Sequence, residues 1–367
     1  MKNTFGSSLK ITLFGESHGE MIGAVLDGLA PGIKVDHELI KRKLDQRRPS
    51  GKISTARVEA DEYKIVSGEY EGYTTGTPLC ILIPNKNTKS ADYSEVARLA
   101  RPGHADLTAE YKYHGYQDHR GGGHFSGRLT AALVAAGAIV TAALEKKGIY
   151  IGTHISSLAG IRDRGFGDIR SDIDKLNGAV FAVLDTVAEE KMRAAIEAAD
   201  AEGDSVGGVL ETYAVGIPEG VGEPWFDSIE STLSHALFSI PGIKGVEFGA
   251  GFGITELRGS EANDAIVSEN GKIITKTNNN GGINGGITNG MPIVFRCAVK
   301  PTPSIFKEQK TVDIKSGENA VLSLRGRHDP AIVHRARAVV DCVTALALAD
   351  ALTARYGTDF LGETEGY

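Results

Sequence analysis

The sequence predicts an α+β fold of layered sheets and helices. Three observations carry that prediction. Short β-branched runs recur between glycine turns, as strands do. One long alanine-rich stretch keeps helical spacing. The two kinds of element do not alternate in the regular βαβ order of a doubly wound sheet, which excludes a Rossmann fold.

Residues 9–13 and 22–26 read as strands. Asp36 is placed to cap a helix running to about residue 45. Residues 78–84 read as a buried strand. Residues 128–147 read as a helix with Leu129, Leu133, Ala136, Ile139 and Leu144 at helical spacing, stopped by Gly148. A second helix covers 187–201 and ends at Gly203, and a strand follows over 206–215. Asp227 and Glu230 have capping-box spacing, so a helix should start there and end before Pro241. Residues 291–299 read as a strand. A final helix starts near Pro330 and runs through Val339, Val343, Leu346 and Leu348 to about residue 355.

With 367 residues, 41% hydrophobic and 24% charged, the chain has ordinary globular composition. Length alone allows one large domain or two to three smaller ones. The net charge of −7 argues against general nucleic-acid binding. No apolar run is expected to reach the ~18 residues that span a membrane, and no signal peptide is expected at the N-terminus. Cys80, Cys297 and Cys342 are far apart and form no CxxC, so reduced cytoplasmic thiols are expected and a zinc site is not.

Chemistry-bearing residues concentrate in turns. Gly15-Glu16-Ser17-His18-Gly19 joins the first two strands. Arg101-Pro102-Gly103-His104-Ala105-Asp106 and Arg327-His328-Asp329-Pro330 are two more polar turns, and the three together point to one site gathered from distant segments. His18 and His104 read equally as structural or as acids tuned by their neighbours. His37, His154, His235 and His334 lack such company along the chain and read as structural. Arg47-Arg48-Pro49-Ser50-Gly51-Lys52 suits phosphate or carboxylate recognition.

Gly121-Gly122-Gly123-His124-Phe125-Ser126-Gly127-Arg128 precedes the alanine-rich helix. It offers close backbone approach and a helix N-terminus to an anion or a cofactor phosphate, with a flexible turn as the alternative. It matches neither a P-loop nor GxGxxG. The asparagine- and glycine-rich residues 277–290 read as a loop that folds around a planar ligand. Lys300-Pro301-Thr302-Pro303-Ser304 is a stiffened segment able to hold a phosphate. A histidine-dependent phosphomonoesterase and a non-catalytic flavin- or anion-binding protein use similar parts and remain open on these residues alone.

Taken together, these motifs resemble chorismate synthases. The resemblance covers essentially the whole chain, including 14–19, the Arg47-Arg48-Pro49 loop, Thr74-Thr75-Gly76-Thr77-Pro78, 101–106, 121–128, Lys244-Gly245-Val246-Glu247, 281–286, 300–304 and 327–330. It implies one large domain over 1–367, a β-α-β sandwich and usually a homotetramer. The activity implied is a trans-1,4 elimination of phosphate from 5-enolpyruvylshikimate 3-phosphate, giving chorismate, with reduced FMN as cofactor.

By the same resemblance, Arg47, Arg48, Lys52, Arg101 and Arg128 would hold the anionic substrate. His104 would assist the departing phosphate. His18 would lie near flavin N1 and the C2 carbonyl, and Asp329 with Ser17 would manage the proton at flavin N5. FMN would be held by His124, Phe125, Ser126, Pro241, Gly242, Gly285, Lys300, Pro301, Thr302, Pro303, Ser304 and Arg327. No metal is implied. With no nicotinamide motif evident, a separate flavin reductase is expected to supply the reduced cofactor. The chain departs from the common family pattern at His124-Phe125, Pro241-Gly242, Lys52 and Asp341.

Overall fold

A computed structural model of the chain describes residues 2–49, 51, 53–54, 60–86, 98–324 and 329–362. Two five-stranded antiparallel sheets enclose a layer of helices. The first sheet contains β1 (Thr4–Phe5), β2 (Lys10–Gly15), β3 (Met21–Asp27), β4 (Lys64–Ser67) and β7 (Leu79–Pro84), in the order β1-β2-β3-β7-β4. Between β4 and β7 runs a small hairpin of β5 (Glu69–Tyr70) and β6 (Tyr73–Thr74). The second sheet contains β8 (Tyr150–Leu158), β9 (Ile161–Arg162), β10 (Gly208–Val215), β11 (Ile243–Phe248) and β16 (Ile293–Val299), in the order β11-β16-β10-β8-β9. Three further hairpins pair β12 (Ile266–Glu269) with β13 (Lys272–Thr275), β14 (Ile283–Asn284) with β15 (Ile287–Thr288), and β17 (Gln309–Val312) with β18 (Asn319–Leu322).

The helical layer is built from α1 (His37–Arg47), α3 (Thr130–Lys146) and α8 (Val333–Tyr356), which pack on one another and against both sheets. Asp36 caps α1 as its residue type predicts, its Oδ1 accepting from the Leu39 N–H at 2.9 Å. The alanine richness of α3 follows from its place: it touches α8, β3, β7 and β8, and small side chains let neighbours close in. Gly137 is the tightest point, since a Cβ there would lie 2.5 Å from Cys342 Cβ on α8. Contrary to the sequence expectation, Gly127–Lys146 is apolar and long enough to cross a membrane by length and composition, but most of it is buried in this layer.

Outside the layer lie α2 (Asp106–Tyr113), α4 (Ile169–Gly178), α5 (Thr186–Ala201), α6 (Ile229–Phe238) and the single turn α7 (Gly259–Ala262). The cap of α6 is Ser228, whose Oγ accepts from the Ser231 N–H at 3.1 Å, one residue later than the spacing of Asp227 and Glu230 predicts. The last helix starts at Val333, three residues after Pro330.

Asp350, near the C-terminal end of α8, ties the N-terminal strand to the helical layer. Its Oδ1 accepts from the backbone N–H of Ser7, Ser8 and Leu9 at 3.1, 2.7 and 2.8 Å. Three backbone N–H groups bonded to one carboxylate oxygen anchor the entry to β2. Asp350→Ala is expected to lower unfolding free energy by about 3 kcal/mol, read as a lower urea midpoint at unchanged slope.

A row of charge crosses the second sheet. Register pairs Glu211 with His154 on one side and Arg296 on the other, and Glu247 with Arg296. His154 Nδ1 lies 2.7 Å from Asp163 Oδ2, and its Nε2 lies 3.2 Å from Glu211 Oε1. Burial alone would push the imidazole pKa down, but hydrogen bonds and charge from Asp163 and Glu211 outweigh it and raise it above 6.5. This stabilisation is therefore full below about pH 6.5 and lost as pH rises through the folded value. His154→Gln should cost about 3 kcal/mol at pH 6, and the gap to the parent protein should narrow at pH 9 in paired urea titrations. The sequence hid this cluster because its carboxylates come from other strands and turns.

Candidate active site

One large cavity, about 1340 Å³, opens beside the ends of the helical layer. Into its wall come residues from two of the three polar turns, from the arginine loop and from the glycine segment: Arg101, His104, Asp329, Arg47, Arg48 and Arg128. The first turns of α2, α3 and α8 also line it, through Asp106, Thr130 and Arg335, so three helix N-termini present their positive ends to one space. In a protein of net charge −7, the anion-seeking groups are thus concentrated here.

The glycine turn before α3 forms one side of the wall. Gly121, Gly122 and Gly123 all have positive φ, at 59°, 85° and 53°, a path other residues rarely take. Ser17 and His18 are buried and pack directly behind it. Ser17 Oγ lies 3.2 Å from His18 Nδ1 and 3.1 Å from the carbonyl oxygens of both Arg120 and Gly121, and the Ser17 N–H donates to Gly123 O at 3.1 Å. Neither Ser17 nor His18 is part of the cavity wall itself. His124, Phe125 and Ser126 line the cavity beyond the glycines. His124 Nδ1 donates to Gly15 O at 2.8 Å, joining this turn to the end of β2.

His104 is held in the same cavity. Its Nε2 lies 2.6 Å from Ser304 Oγ, and its backbone N–H donates to Arg101 O at 3.1 Å. Lys300 Nζ donates to Gly103 O at 2.6 Å, so residues 300–304 clamp the histidine turn. Arg101 is locked to Asp106 by three bonds, from its backbone N, Nε and Nη2, at 3.0, 2.7 and 2.8 Å. Burial opposes ionisation of Asp106, but those bonds and the Arg101 charge outweigh it and hold the carboxyl below its usual range. Arg335 Nη1 donates to Asp329 Oδ2, and its Nε donates to Arg47 O at 2.9 Å. One side chain on α8 thereby joins the Asp329 turn to the arginine loop.

Lys300, Thr302, Pro303, Pro241 and Gly242 complete the wall, whereas Pro301, Ser304 and Gly285 do not line it. Ser304 instead bonds the His104 ring, and Gly285 sits exposed on the turn between β14 and β15. The loop 277–290 contributes no residue to the lining of this cavity. Its amides serve its own backbone and neighbours: Asn278 Nδ2 donates to Pro292 O, Asn279 Nδ2 to Ala262 O, and Asp264 accepts from Asn280 Nδ2 and from the N–H groups of Asn279 and Asn280. Lys52 and Arg327 lie outside the described residues.

His235 lines the cavity, although it reads as structural in the sequence. His37 and His334 stay structural. His334 is buried, bonded through Nε2 to Ser54 Oγ at 2.8 Å, and pushed down to about 3 by burial and then by the charges of Arg335 and Arg193, so its ring is neutral. Asp341 is also buried and accepts from Lys43 Nζ at 2.9 Å and Arg337 Nη1 at 3.2 Å, away from the cavity wall. Asp61 and Arg335 line the cavity without having been marked by the sequence.

One observation bears on a bound cofactor. Thr302 Oγ1 is buried in the cavity wall and has no hydrogen-bond partner among the described residues. Such an orphan is costly unless a ligand satisfies it. Together with the open glycine backbone, it fits a polar cofactor; among the described residues no cluster suits a metal ion.

Comparison with known proteins gives a consistent picture. The family model described as Chorismate synthase matches residues 9–353. The chorismate synthase of Pyrococcus abyssi is 48% identical over 351 residues, covering 95% of this chain and 97% of that one. That of Thermococcus kodakarensis is 46% identical over 350 residues, covering 95% and 97%. A crystal structure of a chorismate synthase superposes with a TM-score of 0.75 at 30% identity, covering 96% of this chain and 94% of that one.

Proposed function

The chain belongs to the chorismate synthase family and is a carbon–oxygen lyase. On that premise we propose that it converts 5-enolpyruvylshikimate 3-phosphate to chorismate and phosphate by trans-1,4 elimination, using reduced FMN. The single observation that carries the reading is the convergence of Arg47, Arg48, Arg128, His104 and Asp329 on one cavity. A substrate with two carboxylates and a phosphate needs several guanidinium groups, and a departing phosphate needs an acid.

In this scheme the arginines bind and orient the substrate. His104, pinned by Ser304, gives a proton or hydrogen bond to the leaving phosphate oxygen. Asp329, aimed by Arg335, would hold and move the proton at flavin N5, with Ser17 assisting from behind the glycine turn. His18 acts from behind Gly121 by charge. FMN would rest against His124, Phe125, Ser126, Pro241, Gly242, Lys300, Thr302 and Pro303. When bound, reduced FMN supplies electron density transiently while the C–O bond breaks. Residues 1–367 would act as one domain, assembled as a homotetramer in the cytoplasm and served by a separate flavin reductase.

The test is an anaerobic assay with chemically reduced FMN. Chorismate and phosphate should appear in equal amounts and be absent with oxidised FMN. Phosphate without chorismate would point to a phosphomonoesterase. Turnover with NADPH and oxidised FMN alone would remove the need for a separate reductase.

A further inference from the structure

Asp61 has no role in the scheme above, yet it stands at the centre of the arginine cluster. Its side chain is 1% exposed, and Oδ1 accepts a hydrogen bond from Arg128 Nη1. Oδ2 lies 3.7 Å from Arg48 Nε and 3.9 Å from Arg47 Nη2, ion-pair contacts too long for hydrogen bonds, and although buried it has no hydrogen-bond partner among the described residues. Asp106 shows what a locked counter-ion looks like here, with three bonds of 2.7–3.0 Å from Arg101. Asp61 is held differently: one oxygen is engaged, the other sits loosely between guanidinium groups. Its backbone adopts φ 46°, a left-handed conformation that aspartate takes up more readily than most residues. Asp61, Arg47, Arg48 and Arg128 all face the same cavity.

We propose that Asp61 is an internal stand-in for a substrate oxyanion, occupying the arginine cluster until an incoming carboxylate or phosphate takes its place. This rests on the reading of that cluster as the anion site. Buried guanidinium groups without a counter-charge are costly, so an internal carboxylate keeps the empty site folded. Its half-satisfied bonding leaves it displaceable. The consequence is selectivity: an anion must out-compete a carboxylate already in place, so a weakly charged or single-point ligand is excluded.

The experiment measures dissociation constants of inorganic phosphate and of malonate by calorimetry, on full-length protein without flavin. Asp61→Asn should bind at least one of these anions about tenfold more tightly than the parent protein, because no internal carboxylate competes. Asp61→Glu keeps the charge on a longer arm and should bind the same anion several-fold more weakly. Thermal melts accompany both: the Asn variant should melt lower without anion and gain more from phosphate than the parent protein does. Equal affinities in all three proteins overturn the proposal while sparing the arginine reading. Absence of binding in all three overturns the arginine reading and the proposal with it. If Asp61→Asn does not fold, an unchanged affinity in Asp61→Glu is sufficient to overturn the proposal.

Discussion

His104→Ala is expected to lower kcat by about 10²–10⁴-fold while leaving the affinity for reduced FMN unchanged. The imidazole reaches the cavity on a turn fixed at three points: Ser304 Oγ on the ring, Arg101 O on the backbone, and Lys300 Nζ on Gly103 O. So fixed a group has lost its rotational freedom before substrate arrives, which is the condition for efficient proton transfer. A non-catalytic anion-binding protein would not lose turnover on this change. Ser304→Ala separates orientation from chemistry, since the ring remains but is no longer held. It should lose about tenfold in kcat with flavin affinity intact. A weakened flavin affinity at normal kcat would instead make Ser304 a flavin contact.

Gly121→Ala is expected to abolish more activity than its size suggests. A Cβ at Gly121 would lie 2.1 Å from His18 Cε1, 2.3 Å from His18 Nδ1 and 2.9 Å from Ser17 Oγ. Those side chains are buried and cannot swing away. The turn or the imidazole must therefore move, and a displacement of about 1 Å at a reacting site costs on the order of 10²-fold in rate. Gly148→Ala is the control. It also has positive φ, at 76°, but open space around the new methyl. It should show only the backbone cost of about 1–2 kcal/mol, with normal turnover. Equal kinetics in the two variants would mean that His18 and Ser17 do not act through the turn.

Much of the architecture was legible in the chain. Strands β2, β3 and β7 announce themselves by β-branched runs, α1 by Asp36, and α3 by alanine at helical spacing, because each signal is local. The short polar α2 was hidden, since Arg101, His104 and Asp106 read as a functional turn without signalling that Asp106 opens a helix. The cavity wall was legible at His104 and along 121–128, whereas Ser17 and His18 lie behind it. It was not legible at Asp61 or Arg335, whose meaning lies in partners 67 and 6 residues away, Arg128 and Asp329. The asparagine loop lies away from this cavity. Groups that can bind a planar ligand can equally close on their own backbone, and Asp264, which gathers them, precedes the loop.

The close approach of α3 and α8 at Gly137 and Cys342 has a dynamic consequence. The glycine turn stands at the head of α3, and Arg335 lies in the first turn of α8. Two helices interlocked that tightly do not slide independently, so the parts of the cavity they carry breathe as one body. Amide protons along this pair should exchange with solvent only when the whole protein opens. Catalytic alignment is then inherited from global stability, and substrate entry is left to the loops at the rim.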